Sequence, residues 1–177
     1  MRMCRRTLRP IFLAAIGILF GHASISALAE EWPREMALPV AMAAKAAHAA
    51  LEKCKADGYK VSVAVVDRAG VLRVLLHGDG AGSHTVDSSS KKAYTAASLR
   101  RPTSELAELM TKVPTLQALR DMNDRVLILG GGLPIEIAGE VVGAIGVGGA
   151  PGAHLDDACA QAGLGAIGAT PKVQAGK

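Results

Sequence analysis

The run from Val141 to Val147 is built almost entirely of β-branched or small apolar residues, the pattern of a central strand covered on both faces. Such a strand requires a packed layer on each side of its sheet, so the rest of the chain must supply helices. Pro39 stands where a first-turn proline belongs, and Val40, Ala44, Ala47, Leu51 and Cys54 recur at three- and four-residue steps, which predicts a helix ending near Asp57-Gly58. Val61, Val63 and Val65 alternate with Ser62 and Ala64, Asp67 to Gly70 supply turn chemistry, and Leu72, Val74 and Leu76 alternate again, as in a β-hairpin. The segment His77 to Asp87 has no hydrophobic period and is expected to be a loop.

Helical composition returns from Ser88 to Leu99 and stops before Arg101-Pro102; further helical turns follow from Thr103 and around Thr115 to Met122. Val126 to Leu129 has the length and apolarity of a strand, Pro134 to Ile137 of another, and His154 to Leu164 reads as the last helix. The expectation is an α+β fold: a mostly antiparallel five-stranded sheet packed by helices, in a profilin-like or PAS-like layered arrangement. The tail 169–177 offers nothing to bury and is expected to be disordered.

The sequence has 177 residues and a formal charge of +4, but Arg2, Arg5, Arg6 and Arg9 all precede the apolar run Ile11 to Phe20 and the small-x-small site Ala27-Leu28-Ala29. That order predicts a secretory signal peptide over residues 1–29, with partial twin-arginine character in Arg5-Arg6. The apolar run is shorter than the roughly 20 residues of a bilayer span, so no membrane span is expected after cleavage. The remainder carries 16 basic and 16 acidic residues. A neutral domain lacks the cationic surplus that polyanion binding needs, which argues against a nucleic-acid partner. The expected location is periplasmic or secreted. There Cys54 and Cys159 either form one disulfide or sit as two small buried residues on separate helices.

No nucleotide-binding glycine motif, nucleophile elbow or His-x-x-x-His pair occurs. Ser88 to Lys91 fits a Ser-x-x-Lys string without its partner motifs, and Asp67 and Glu136 are explained by a turn and a strand face. No dedicated catalytic constellation can be named. His77 and His84 flank Asp79 in the glycine-rich loop, where imidazoles are available to a metal or to haem iron; His48 reads as a structural residue of the first helix.

Several stretches in one order carry a family resemblance: Val66-Asp67-x-x-Gly70-x-Leu72, Asp79-Gly80-Ala81, Lys92-Ala93-x-Thr95-Ala96, Pro102-Thr103, Gly130-Gly131-Gly132-x-Pro134-Ile135, Gly139-x-Val141 through Val147, and Asp156 before Ala162-Gly163. Over residues 38 to 168 the chain resembles the GlcG/HbpS family of haem-binding proteins, related to the C-terminal domain of PduO-type proteins. The resemblance implies a haem-binding domain over residues 30–168, homo-oligomers, and a sensor or redox partner protein. It also points to Lys92, Thr95, Thr103, Gly131, Gly132 and Pro134 as family positions, with Lys92 or an arginine pairing a haem propionate. The family's Arg-Met-Asp-Gly-Ala stretch is here His77-Gly78-Asp79-Gly80-Ala81, which puts an imidazole where the family has a guanidinium.

The expected function is therefore that of an exported protein that binds, buffers or slowly degrades haem, with the haem and not a side chain supplying any redox chemistry. The alternative is an oligomeric accessory or sensor-partner protein that binds another small metabolite. Only Trp32, Tyr59 and Tyr94 are aromatic after residue 29, so haem would pack on aliphatic and glycine surfaces.

Overall fold

A computed structural model describes residues 34–170. The expected signal peptide, Trp32 and residues 171–177 lie outside the described residues. The order of elements is α1 (Val40–Ala56), β1 (Ser62–Asp67), β2 (Leu72–His77), α2 (His84–Leu99), α3 (Thr103–Lys112), a 3₁₀ segment (Pro114–Asp121), β3 (Gly132–Ile137), β4 (Glu140–Gly148) and α4 (Ala153–Ala166).

Alanine dominates α1, and alanine costs neither side-chain entropy nor space. Its buried stripe of Ala43, Ala46, Ala47, Ala50 and Cys54 lets the helix lie close against its neighbours. Beyond Gly58, which has φ +85°, the chain enters β1. The β1–β2 turn is tied by Asp67, whose Oδ1 accepts hydrogen bonds from the backbone N–H groups of Ala69 and Val71. A two-residue turn at Ala138-Gly139, both with positive φ, joins β3 to β4 and suits the right-handed strand twist.

The sheet has four strands in the order β2-β1-β4-β3, every pair antiparallel. This corrects the expected fifth strand. Val126 to Leu129 run irregularly: the Leu127 N–H is taken by Thr95 Oγ1 on α2, and Ile128 packs with Leu106 and Met110 of α3. The run is apolar because it closes a small satellite core, not because it joins a sheet.

Strands β1 and β4 are central and buried on both faces, as the composition of β4 required. On one face Val63, Val65, Ile145 and Val147 pack with α1 and α4; on the other Ala64, Val66 and Ala144 meet Ala93, Ala96 and Ala97 of α2. Gly146 permits the second contact, because a Cβ there would stand 2.1 Å from the Ser89 carbonyl oxygen.

Helix α2 starts at His84, four residues before the expected Ser88, so the loop shrinks to 78–83. Thr85 drives the earlier start: its N–H and its hydroxyl both donate to the Gly82 carbonyl. At the other end Ala169, expected to belong to the tail, is buried, and Thr170 bridges Glu136 on the outer edge of β3. Cys54 and Cys159 form a buried disulfide that ties α1 to α4, with Cα atoms 5.5 Å apart.

Candidate functional site

Most of the residues singled out by sequence fall in or beside two places, and His84 falls in neither. The first is a buried polar cluster around the triple glycine. Lys92, only 2% exposed, reaches from α2 and donates to Asp156 Oδ2 at 2.8 Å and to the Val147 carbonyl at 2.9 Å. Asp156 Oδ1 accepts the Ala150 N–H, and the neighbouring Asp157 Oδ1 accepts that of Gly131. Thr103 Oγ1 accepts the Gly132 N–H at 2.9 Å.

Burial pushes the carboxyl groups of both Asp156 and Asp157 above the usual aspartate range; the Lys92 ammonium opposes this in each, and backbone N–H groups hold both down in part. Gly131, with φ +111°, leaves no room for a side chain, since a Cβ would stand 2.5 Å from the Val147 carbonyl oxygen. The cluster fastens α2, α4 and the approach to β3 around β4. Lys92, Thr103, Gly131 and Gly132 all lie in it, and their polar atoms are engaged with one another, with Asp156 and Asp157 and with the Val147 backbone. Thr95, also buried, donates to the Lys91 carbonyl and accepts from Leu127. Pro134 is buried in β3 opposite Ala144, on an edge strand that tolerates its missing N–H.

The second place is a groove of about 500 Å³ between α1, the start of β1 and the end of β2. Helical spacing puts His48, Leu51, Glu52 and Lys55 of α1 along it; Tyr59, Lys60 and Val61 lead into β1; His77, Gly78 and Asp79 close it. Its volume lies in the range of small-molecule sites, and its walls mix aliphatic and aromatic surface with polar groups. Neither Lys55 nor Lys60 is in an ion pair among the described residues, so both ammonium groups are available to an anionic ligand.

The structure therefore brings His77 together with His48, which sequence reasoning had left as structural. His84 heads α2 and does not line this groove. The signal that could have found His48 is its spacing: with Leu51, Glu52 and Lys55 it forms a face distinct from the alanine stripe. Behind His77 is a buried hydroxyl chain that sequence reasoning also missed. Ser62 Oγ lies 2.8 Å from His77 Nδ1 and 2.7 Å from Thr85 Oγ1.

Among the described residues, no three His, Cys, Asp or Glu side chains gather as a site for a bare metal ion, and no helix is long and apolar enough to cross a membrane. The groove does suit haem. An apolar macrocycle with two carboxylates needs greasy walls, cations for the carboxylates and an imidazole for iron, and Leu51, Tyr59 and Val61, Lys55 and Lys60, and His48 and His77 are the lining residues that could supply these.

Residues 38–165 match the family described as haem degrading protein HbpS-like. A 15.0 kDa uncharacterized protein of Citrobacter freundii, from the dhaT-dhaS intergenic region, is 36% identical over 113 residues, 63% of this chain and 80% of that protein. Protein GlcG of Escherichia coli is 31% identical over 106 residues, 60% of this chain and 77% of its own length. Among solved structures, a double mutant of Streptomyces reticuli HbpS shares 41% identity at a TM-score of 0.71, covering 89% of this chain and 97% of that one. The PduOC:heme complex shares 26% identity at a TM-score of 0.72, covering 77% and 99%.

Proposed function

The chain belongs to the HbpS-like family, and on that premise we propose that it is an exported haem-binding protein whose haem lies in the α1–β2 groove. The observation that carries the proposal is the convergence of two imidazoles, two uncommitted lysines and an aliphatic–aromatic wall on one groove of suitable volume. His77 and His48 would hold the iron, and Lys55 and Lys60 would pair the propionates by charge-assisted hydrogen bonds. Bound haem supplies the redox chemistry for any slow degradation; the protein orients and partly shields it. The similarity to the PduOC:heme complex supports this reading.

Lys92, Thr95, Thr103, Gly131, Gly132 and Pro134 take the part of scaffold in this proposal. Export is supported by the amino-terminal sequence pattern and by the Cys54–Cys159 disulfide, which suits an oxidising compartment. Val71 and Leu72 are 57% and 46% exposed at the edge strand β2, which supports a homo-oligomer and the accessory reading of the same fold.

Thermal unfolding with and without haem tests the proposal. A ligand that binds only the native state at 100 times its Kd adds about 2.7 kcal/mol of stability, so Tm should rise with haem concentration. An unchanged Tm over a saturating range would overturn it. Size-exclusion chromatography without haem tests the oligomer separately.

A further inference from the structure

We infer that Ser62 and Thr85 form a hydroxyl relay that fixes His77 with its proton on Nδ1 and so presents Nε2 as the iron-ligating nitrogen of the groove. The first half follows from hydrogen-bond order alone; the second rests on the haem reading above.

The order can be worked out from the one group that cannot donate. The Gly82 carbonyl only accepts, and Thr85 Oγ1 lies 2.6 Å from it, so the single hydroxyl proton of Thr85 is committed there. Ser62 Oγ is 2.7 Å from Thr85 Oγ1, which has no second proton to give. Ser62 is therefore the donor in that bond. Its own proton spent, Ser62 Oγ acts as acceptor toward His77 Nδ1 at 2.8 Å, and Nδ1 must carry the hydrogen. Ser62 and Thr85 are 0% and 1% exposed, so protein groups and not bulk water satisfy their hydroxyls.

A neutral imidazole with its proton on Nδ1 has its lone pair on Nε2, across the ring. No hydrogen bond among the described residues engages that nitrogen, and His77 lines the groove. Metal-ligating histidines characteristically donate their second N–H to a fixed acceptor, which sets ring orientation and raises ligand basicity. Ser62 has that role here, held in place by Thr85 and by its cross-strand pairing with His77. Both are positioning residues: neither lines the groove, and each acts through the imidazole.

The test begins on the purified protein without haem. Long-range ¹H–¹⁵N correlation on the histidine rings should show His77 in the Nδ1-protonated form in wild type, and a mixture of tautomers in Ser62→Ala and in Thr85→Val. Far-UV circular dichroism confirms that each variant is folded, and Ser62→Thr should restore the wild-type tautomer. Optical titration with haem should then show affinity weakened about 10- to 100-fold in Ser62→Ala, the usual effect of losing such a partner. A wild-type ring protonated on Nε2, or a tautomer unmoved in both variants, overturns the relay. The expected tautomer in a wild-type chain that binds no haem instead overturns the haem reading and the ligand assignment, while the proton order stands.

Discussion

Ser62 and His77 are direct cross-strand partners at the end of the β1–β2 ladder, and their side chains are hydrogen-bonded at 2.8 Å. One of the pair is buried and belongs to the core; the other is exposed and lines the groove. The sheet register therefore does chemical work: it couples the position of an imidazole to a fixed hydroxyl. Thr85→Val should cost about 1–3 kcal/mol in denaturant unfolding, because a buried hydroxyl partner of Ser62 is removed. A loss below a few tenths of a kcal/mol would show that the relay makes no contribution to stability.

The Lys92–Asp156 pair is buried on both sides. Asp156→Ala leaves an ammonium without its counter-charge and should destabilise the fold by about 3–5 kcal/mol. The double variant Lys92→Met, Asp156→Leu should recover much of that loss, which equilibrium unfolding of the three variants would measure.

Asp157 gives a pH signature. Burial raises its native pKa above the unfolded value, so the native state holds the proton more tightly between those two values. Its contribution to stability is then present below the unfolded pKa and is lost as pH rises through the folded one. Relative to Asp157→Asn, the wild-type protein should gain stability as pH falls from neutrality toward the ordinary aspartate range. Parallel Tm–pH profiles of the two proteins would contradict this.

The Cys54–Cys159 bridge spans 105 residues of sequence. Removing it as Cys54→Ala, Cys159→Ala should cost about 2–5 kcal/mol, read from denaturant midpoints under non-reducing conditions. A reductant should lower the wild-type midpoint and leave that of the double variant in place.

Gly146→Val should be among the most damaging single substitutions. The intruding side chain meets the α2 backbone at the Ser89 carbonyl and the Ala93 nitrogen, which cannot swing aside as a flexible side chain can. Proteolysis of the variant under native conditions would report loss of the α2–β4 contact. Protection equal to wild type would contradict it.

Much of this architecture was legible in the sequence because local pattern and tertiary fate agree there. The alanine stripe of α1, the Asp67–Gly70 turn and the apolar β4 each point one way, and the family resemblance is borne out by the HbpS-like match. Val126 to Leu129 misled because an apolar run states only that it is buried. The choice of α3 over a strand partner was made by Leu106, Met110 and Thr95, all distant in sequence. The groove was half legible for the same reason: His77 stood out in a glycine-rich loop, but His48 gains meaning only when α1 lies beside β2. Ser62 and Thr85 were invisible, since a hydroxyl becomes a positioning group only through what it touches.

The central claim is that haem binds this groove through His77, and optical haem titration of wild type beside His77→Ala and His84→Ala tests it most directly. The account predicts a saturable Soret band at about one haem per chain in wild type and in His84→Ala, and a weakened, shifted band in His77→Ala. An identical Soret band and affinity in wild type and His77→Ala, or a loss confined to His84→Ala, would contradict it.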